Sequence, residues 1–243
     1  MNTLSQREEL ALVPVPETTA SYMPVPHVDL LETIENAVIT NNPNLTLHSE
    51  RFQMKGKGTK LFGTMSFVDE SASLNDDALS PMIGVVNSYN KRLSVKIASG
   101  AGVFVCSNGM FLGEIKYLRK HTVNCWETIE QYCEEVAVSI DNRIEIAEQG
   151  RAKMKSVKID QDQGYGLLGV LKGREILRAN EANVAFEDWT NARHECFKER
   201  NVWSVYNCAN EALKKASPHS ALERHSRLHN LLVNETDTAR FLA

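Results

Sequence analysis

The spacing of apolar residues along the chain changes twice, and each change predicts a different kind of element. Between Val28 and Thr40 apolar residues recur every three or four positions, as on one face of a helix. From Leu45 to about Ile115 apolar and polar residues alternate, which is typical of β-strands. From Thr122 onward the spacing of three and four returns and predicts helices to the end of the chain.

Several runs rich in Gly, Asn, Ser or Lys interrupt the alternating region and predict turns between short antiparallel strands. These runs are 55–60, 69–81, 90–92, 99–102 and 107–109. In the last of them, Asn108 is predicted to have a positive φ or to bond its own backbone. Cys106, just before it, is predicted to be a small buried residue that ends a strand, and not a nucleophile.

The first helix predicted in this part of the chain is unusually long. A helix from Thr122 to Met154 would run roughly 50 Å, with Thr122 as its N-cap, and such a helix commonly lies across a sheet. Shorter helices are predicted at 161–177, 180–193, 202–215 and 221–232. Strands first and helices second predict an α+β fold, in which antiparallel β-hairpins pack on a long α-helix and a C-terminal helical region follows.

The same pattern divides the chain into three segments. Residues 1–27 form a Pro-rich N-terminal arm, 28–157 a β-rich core with the long helix, and 158–243 a helical C-terminal region. The arm contains Pro-Val-Pro at 14–16 and again at 24–26. Because proline fixes φ and lacks an N–H donor, we expect the arm to be extended, on the surface or on a neighbouring subunit.

Composition excludes several classes of protein. With 42% hydrophobic and 24% charged residues, the chain is not disordered throughout. It has no run of 18 apolar residues and a polar beginning, so we expect neither a membrane partner nor secretion. Five unpaired-looking cysteines agree with a reducing compartment, the cytoplasm, or the host cytoplasm if the protein is encoded by a phage.

Chemical motifs are weak, and we expect no cofactor and no metal. No C-x-x-C occurs, and the pair His225 and His229 lacks the Glu of a zinc-protease helix. Gly164, Gly166 and Gly169 match a dinucleotide fingerprint by letter, but no strand precedes them. Glycines that allow close helix packing are the better interpretation.

Charge is distributed unevenly along the chain. Between Arg51 and His121 there are ten basic and five acidic residues, a net charge of +5, which leaves −9 for the rest of a chain of net charge −4. Basic residues at glycine-containing hairpin tips suit a phosphate backbone. A solvated hairpin, in which lysine protects a sheet edge, is an equal alternative.

Rings near these cations would be needed for base stacking, and Tyr89 and Tyr117 are the two that we expect to be exposed. Tyr89 lies beside the predicted turn at 90–92, and Tyr117 lies among basic residues. The candidate nucleic-acid-binding residues are Lys55, Lys57, Lys60, Tyr89, Lys91, Arg92, Lys116, Arg119 and Lys120.

Three segments together resemble a family found on phages and plasmids, domain of unknown function 932. They are 85–94, 102–110 with the 119–122 that opens the helical part, and 201–211. The family usually has Asp-Gly in its first turn, where this chain has Asn90-Lys91. The resemblance implies a mobile-element origin and an intracellular site. Its polar residues fall on Asn87, Ser88, Asn108, Gly109, His121, Trp203, Asn207 and Glu211.

Two classes of function remain open. The order of hairpins followed by a long helix is similar to that of Rad52-like single-strand annealing proteins of phages, an analogy of fold alone. It favours a single-stranded DNA-binding protein of recombination that forms a homo-oligomer, a ring or a filament. The alternative is an anti-defence inhibitor or a small hydrolase with Asn87, Ser88, Asn108 and His121 around a pocket. Because no triad or carboxylate pair is evident, we favour binding and assign no catalytic residue.

Overall fold

A computed structural model describes residues 6–69, 71, 78–103, 108–110, 117–214, 216 and 218–233. Cys106, Ser107 and Lys116 lie outside this described part. Within it, antiparallel strands precede a series of helices, so the predicted α+β class is confirmed. The helix predicted at 28–40 and those predicted from residue 161 onward are also confirmed, with ends that differ by a few residues.

The described strands form a six-stranded sheet. Its order is β1-β2-β3-β4-β5, and β6 also pairs with β4. β5 pairs antiparallel with residues 101–103 of β4, and β6 pairs antiparallel with residues 95–97 of β4. The strands are β1 (Leu45–Lys55), β2 (Lys60–Asp69), β3 (Leu79–Ser88), β4 (Val95–Val103), β5 (Asn108–Met110) and β6 (Tyr117–Arg119).

Eight α-helices lie within the described residues, together with one short 3-10 turn at Glu195–Phe197. The helices are α1 (Gln6–Ala11), α2 (His27–Asn41), α3 (Cys125–Val138), α4 (Ile140–Ser156), α5 (Gln161–Gly173), α6 (Ala179–Thr190), α7 (Val202–Leu213) and α8 (Pro218–Val233).

The predicted helix from Thr122 to Met154 is wrong in two respects. It is two helices, α3 and α4, divided at Ser139, whose hydroxyl donates to the Val136 carbonyl at 2.9 Å. A serine hydroxyl that bonds the preceding turn competes with the helical ladder and disturbs it. The start is also later than predicted, because Thr122 accepts a bond from the Cys125 N–H and Asn124 is the N-cap.

Two of the predicted turns are strands. Residues 99–102 lie inside β4, where Gly102 and Ala101 pair with Gly109 and Met110 of β5. Asn108 lies in β5 and pairs with Val103, so its predicted turn is wrong as well. Ser, Gly and Asn are typical of turns, but here strand pairing and the burial of Ala101 outweigh that local preference.

The chain divides into two compact units. Unit 1 comprises Met1–Ser73, Pro81–Ser99 and Ile115–Asn142, and unit 2 comprises Leu74–Ser80, Gly100–Glu114 and Arg143–Ala243. The boundaries between them fall within β3, β4 and α4. The three sequence segments with ends at 27 and 157 stay a prediction.

In unit 1 the N-terminal residues include a helix where an extended arm was expected. Arg7 of α1 pairs with Glu35 at 2.6 Å and with Glu50 at 2.8 Å, and Leu10 is buried. The Gln6 side chain accepts a bond from the backbone N–H of Phe52 in β1 at 2.8 Å. Helix α1 therefore occupies part of the free edge of β1, which protects an edge strand from pairing with another chain.

Unit 2 is organised around α7. All of its residues except Glu211 are buried, which is the pattern of a helix surrounded by other elements. Its Trp203 stacks on Tyr206 with ring centroids 5.4 Å apart. A buried ion pair joins Arg224 of α8 to Glu181 of α6, and the arginine also donates to the Ile176 carbonyl at 2.7 Å.

Candidate nucleic-acid interface

Antiparallel pairing gathers the predicted basic residues of unit 1 at one end of the sheet. Lys55 pairs with Lys60, Lys60 with Ser88, and Arg119 with Val95. The β1–β2 turn, the β3–β4 loop and the end of β6 therefore meet at the same end. We call their seven cations the basic rim: Lys55, Lys57, Lys60, Lys91, Arg92, Arg119 and Lys120.

The two turns of the basic rim present their lysines in unusual backbone conformations. Lys57 has φ 56° between Gly56 and Gly58, and Lys91 has φ 61°. The Thr59 hydroxyl donates to the Gly56 carbonyl at 2.8 Å and closes the first turn. Both lysines are exposed, as are the other rim cations except the half-buried Lys60.

The charge of the basic rim is not neutralised from within. Among the described residues, no acidic side chain forms an ion pair with any of its seven cations. The Lys91 ammonium instead lies over the Tyr22 ring, 4.4 Å from its centroid. Cations that converge without partners create a positive potential in the surrounding water.

Beneath the basic rim, residues 19–27 cross the end of the sheet, and we call this segment the N-terminal clasp. The Tyr22 hydroxyl donates to the Tyr89 carbonyl at 3.0 Å. The His27 ring stacks on the Tyr89 ring at 3.9 Å, and the His27 N–H donates to the Tyr89 hydroxyl at 2.8 Å. Tyr89 is consequently only 5% exposed, so the expectation of an exposed stacking ring is wrong at this position.

Asn87 and Ser88, two of the polar residues that the sequence resemblance singled out, stabilise this arrangement. The Asn87 side chain accepts from the Ser88 N–H at 2.8 Å and donates to the Val25 carbonyl at 2.6 Å. The Ser88 hydroxyl donates to the Leu93 carbonyl at 2.9 Å and accepts from the Leu93 N–H at 3.1 Å. With these bonds Ser88 closes the β3–β4 loop and Asn87 joins the end of β3 to the clasp, and neither is set up as a nucleophile.

The same bonds determine the protonation of His27. Because the Asn87 oxygen already accepts from Ser88, its nitrogen faces His27 Nδ1 at 3.0 Å, and Nδ1 must accept. His27 Nε2 then carries the proton and donates to the Gly58 carbonyl at 3.0 Å. Burial lowers the pKa of His27 to about 4, against the opposing effect of the Gly58 carbonyl, so the ring is neutral at pH 7.

His121, another of the polar residues that the resemblance singled out, follows the end of β6 and contacts the clasp. Its carbonyl accepts from the Met23 N–H at 3.3 Å, and its ring lies 5.6 Å from the Tyr22 ring. Burial lowers the pKa of His121, while the backbone of Met23 and of Leu93 acts in the opposite direction. The bond from the Met23 backbone and the ring contact with Tyr22 hold the end of β6 next to the clasp.

The remaining residues that the resemblance singled out lie in unit 2. Asn207 donates to the Trp203 carbonyl at 2.9 Å, and Glu211 pairs with Arg193 at 3.1 Å and with Lys214 at 2.6 Å. The first contact lies within α7, and the other two join α7 to the segment that follows α6 and to its own C-cap. Asn108 and Gly109 belong to β5, and the Asn108 side chain is not among those described.

The dinucleotide fingerprint is a helix, as the sequence predicted. Gly164, Gly166 and Gly169 lie within α5, and the helix begins at a capping box. The Asp160 carboxylate accepts the Gln163 N–H at 2.8 Å, which places a negative charge where a phosphate would have to bind. Gly164 alone packs closely, since a Cβ there would lie 2.2 Å from the Trp189 ring.

The remaining predicted residues add nothing to the basic rim. The backbone of Tyr117 is in β6, but its side chain is not described, and Lys116 lies outside the described residues. His225 and His229 are both buried, and no cluster of three or more metal-ligating side chains occurs within the described part of the chain. Among the described helices, none combines the length and hydropathy that crossing a bilayer requires.

Sequence reasoning missed Tyr22 and His27, the two clasp residues that touch the basic rim's loops. The prolines at 24 and 26 predicted an exposed arm, and Pro26 does have the polyproline II values φ −57° and ψ 138°. The overlooked signal was the pair of aromatic and imidazole rings that flank those prolines. A tyrosine and a histidine beside rigid prolines suit a segment that docks on other residues.

The fold and the basic rim define an α+β protein with a cationic end to its sheet. The chain belongs to the family of the domain of unknown function DUF932, whose model matches residues 17–237. This confirms the resemblance seen in the three sequence segments. The comparisons matched no curated protein and no solved structure.

Proposed function

We propose that the protein binds single-stranded DNA through the basic rim and that it contacts the phosphate backbone. The observation that carries this proposal is the meeting of seven cations from three separate chain segments, with no acidic partner among the described residues. Lysine and arginine on phosphates supply affinity without reading sequence, because counterions are released from the nucleic acid.

The size of the basic rim fits several phosphates. From β1 across β2, β3 and β4 to β6 there are four strand spacings, or about 19 Å. Contact with four or five phosphates would give a logarithmic salt slope of about −3 for a single strand.

Binding by the backbone leaves the bases available for pairing, and that is what annealing of two strands requires. The burial of Tyr89 against His27 supports binding by the phosphate backbone, because a buried ring does not stack on bases. We therefore propose a role in single-strand annealing during recombination of a phage or another mobile element, in the host cytoplasm.

Neutralising one cation from each segment of the basic rim tests the proposal. We expect the triple variant Lys57→Gln, Lys91→Gln, Arg119→Gln to bind a fluorescent oligothymidine roughly 10- to 100-fold more weakly, with a salt slope smaller by about 2. The measurement is anisotropy at two salt concentrations.

The matched control removes the same charge from unit 2, in the variant Lys158→Gln, Lys172→Gln, Lys198→Gln. These three lysines are exposed and lie outside the basic rim. Its affinity and slope should equal those of the unchanged protein. Equal losses in both variants, or binding that ignores salt, would show that the basic rim is not the binding site.

We also propose that several copies assemble along one strand as a ring or filament. Asn42 bonds the carbonyls of Val38 and Ala137, which brings the ends of α2 and α3 together. Ile39 and Val138, next to those carbonyls, are 38% and 72% exposed and offer an apolar contact to a second copy.

Val138→Asp is expected to shift the assembly toward the 27.2 kDa monomer in light scattering, because burying a carboxylate in such a contact is unfavourable. Ile146→Asp places the same charge on an exposed apolar residue of unit 2 and should leave the mass unchanged. A monomeric unchanged protein at micromolar concentration contradicts this proposal and leaves the binding proposal intact.

A further inference from the structure

We infer that Tyr22 and His27 of the N-terminal clasp are positioning residues for nucleic-acid binding, and that they set the relative placement of the three cation-bearing segments of the basic rim. The inference rests on the proposed function of the rim. It comes from a geometric fact: the clasp touches each of the three segments at a different point.

The first contact is with the β1–β2 turn. His27 donates from Nε2 to the Gly58 carbonyl at 3.0 Å, one residue after Lys57. The turn contains two glycines with positive φ, Gly56 and Gly58, and glycine gives a backbone many alternative conformations. A buried hydrogen bond to the middle of such a turn restricts the directions in which Lys57 can project.

The second contact is with the β3–β4 loop. The Tyr22 hydroxyl bonds the Tyr89 carbonyl at 3.0 Å, two residues before Lys91, and the Tyr22 ring lies under the Lys91 ammonium. The His27 ring also stacks on the ring of Tyr89 in this loop. The same loop also reaches the first turn, since the Tyr89 N–H donates to the Thr59 carbonyl at 2.8 Å.

The third contact is with the end of β6. The Met23 N–H donates to the His121 carbonyl at 3.3 Å, directly after Arg119 and Lys120. The Cys125 thiol, at the start of α3, contacts the Met23 carbonyl at 3.9 Å. One residue after Tyr22, the clasp is therefore fixed to the third group of cations.

These contacts have a consequence for affinity. Cations on three loops that move independently would lose that freedom on binding a polyanion, and this loss weakens binding. Loops already held in place lose less. The clasp thus acts by preorganisation: it changes how well the cations are placed and leaves their number unchanged.

Variants of Tyr22 and His27 separate positioning from charge. Tyr22→Phe keeps the ring under Lys91 and loses only the bond to the Tyr89 carbonyl, whereas Tyr22→Leu loses both. His27→Gln retains an amide donor for the Gly58 carbonyl, whereas His27→Leu does not. Tyr165→Phe, in unit 2, loses a hydroxyl bonded to Thr190 at 2.8 Å and serves as the control.

Two readouts are measured on each full-length variant: amide hydrogen exchange and the salt dependence of oligothymidine binding. For Tyr22→Leu and His27→Leu we expect faster exchange in residues 56–59 and 88–93, and affinity about tenfold lower with a salt slope that changes by less than about 1. Tyr22→Phe and His27→Gln should recover most of the affinity, and Tyr165→Phe should match the unchanged protein.

The outcomes are distinguishable. Unchanged exchange in the two loops overturns the clasp, and faster exchange with unchanged affinity overturns its positioning role. Faster exchange throughout the chain, with a lower melting temperature and no recovery in the conservative variants, also overturns positioning, because it indicates a purely structural role. If the unchanged protein binds no oligonucleotide, the proposed function fails, while exchange still decides whether the clasp holds the loops.

Discussion

Lowering the pH from 7.5 to 5 is expected to remove several kcal/mol from the free energy of unfolding, because three buried histidines are neutral in the folded protein. Burial lowers the pKa of His27, His225 and His229 to about 4 each, from an ordinary value of 6.5. The nearby Arg224 charge acts in the same direction on His225. The unfolded chain takes up protons at these residues well before the folded chain does.

The sign follows from the order of the pKa values. Above pH 6.5 these histidines are neutral in both states and stability is unaffected. Between pH 6.5 and about 4 the unfolded state binds more protons, so stability falls as the pH falls, and below about 4 the loss is complete. At pH 5 each histidine costs about 2 kcal/mol, and three together approach the whole stability of a typical domain.

Urea unfolding at several pH values measures this dependence. His229→Leu, which substitutes an apolar side chain of similar size at a buried position, should lower the slope of stability against pH by about one proton. A stability that is flat between pH 7.5 and 5 would show that these histidines are not held neutral.

Gly164→Ala is expected to destabilise the protein by about 3 kcal/mol. The added Cβ would lie 2.2 Å from two atoms of the Trp189 ring, and that ring has no room to move. Its Nε1 donates to the Gln161 carbonyl at 3.0 Å, and the Arg200 guanidinium lies 4.4 Å from the ring centroid. Relief of the clash requires α5 and α6 to separate.

The other two glycines of the dinucleotide fingerprint, Gly166 and Gly169, are controls for the Gly164→Ala variant. Nothing lies within 4 Å of a Cβ added at Gly166 or Gly169, and both residues are exposed on α5. Alanine at either position should stabilise the protein by roughly 0.5–1 kcal/mol, because glycine is unfavourable inside a helix. Thermal unfolding of the three variants measures both signs, and a loss at all three would mean that the glycines act together in a way that packing does not explain.

Much of the fold was predictable because the periodicity of apolar residues follows directly from which face of an element is buried. Helix α2, whose buried residues Leu30, Ile34 and Val38 share one face, and the β1–β2 hairpin are examples. The failures have two causes: a local side-chain bond at Ser139 that the apolar spacing does not show, and strand pairing that outweighs a local turn preference at residues 99–102. Nothing in the letters around Ser139 distinguishes a helix break from a helical serine, and the Ser-Gly-Ala-Gly run at 99–102 resembles a turn until its strand partners are known.

The sequence predicted the charged residues of the candidate site but not the clasp residues that hold their loops in place. Lys57, Lys91 and Arg119 were found because cations at hairpin tips are visible in the sequence. Their common location needs the strand register, and the burial of Tyr89 needs a segment more than 60 positions away in the sequence. Contacts at that distance along the chain leave no periodic signal.

Lys57 and Lys91 have a left-handed backbone, so the residues that would be most stable at these positions of the basic rim are not positively charged ones. A side chain with a Cβ is disfavoured in that conformation, and glycine or asparagine would relieve the strain at both positions. Either replacement would remove an ammonium group from the surface that we assign to DNA. At these two positions, a substitution that stabilises the protein therefore weakens its binding to a polyanion. A search for thermostable variants would tend to remove positive charge from the basic rim.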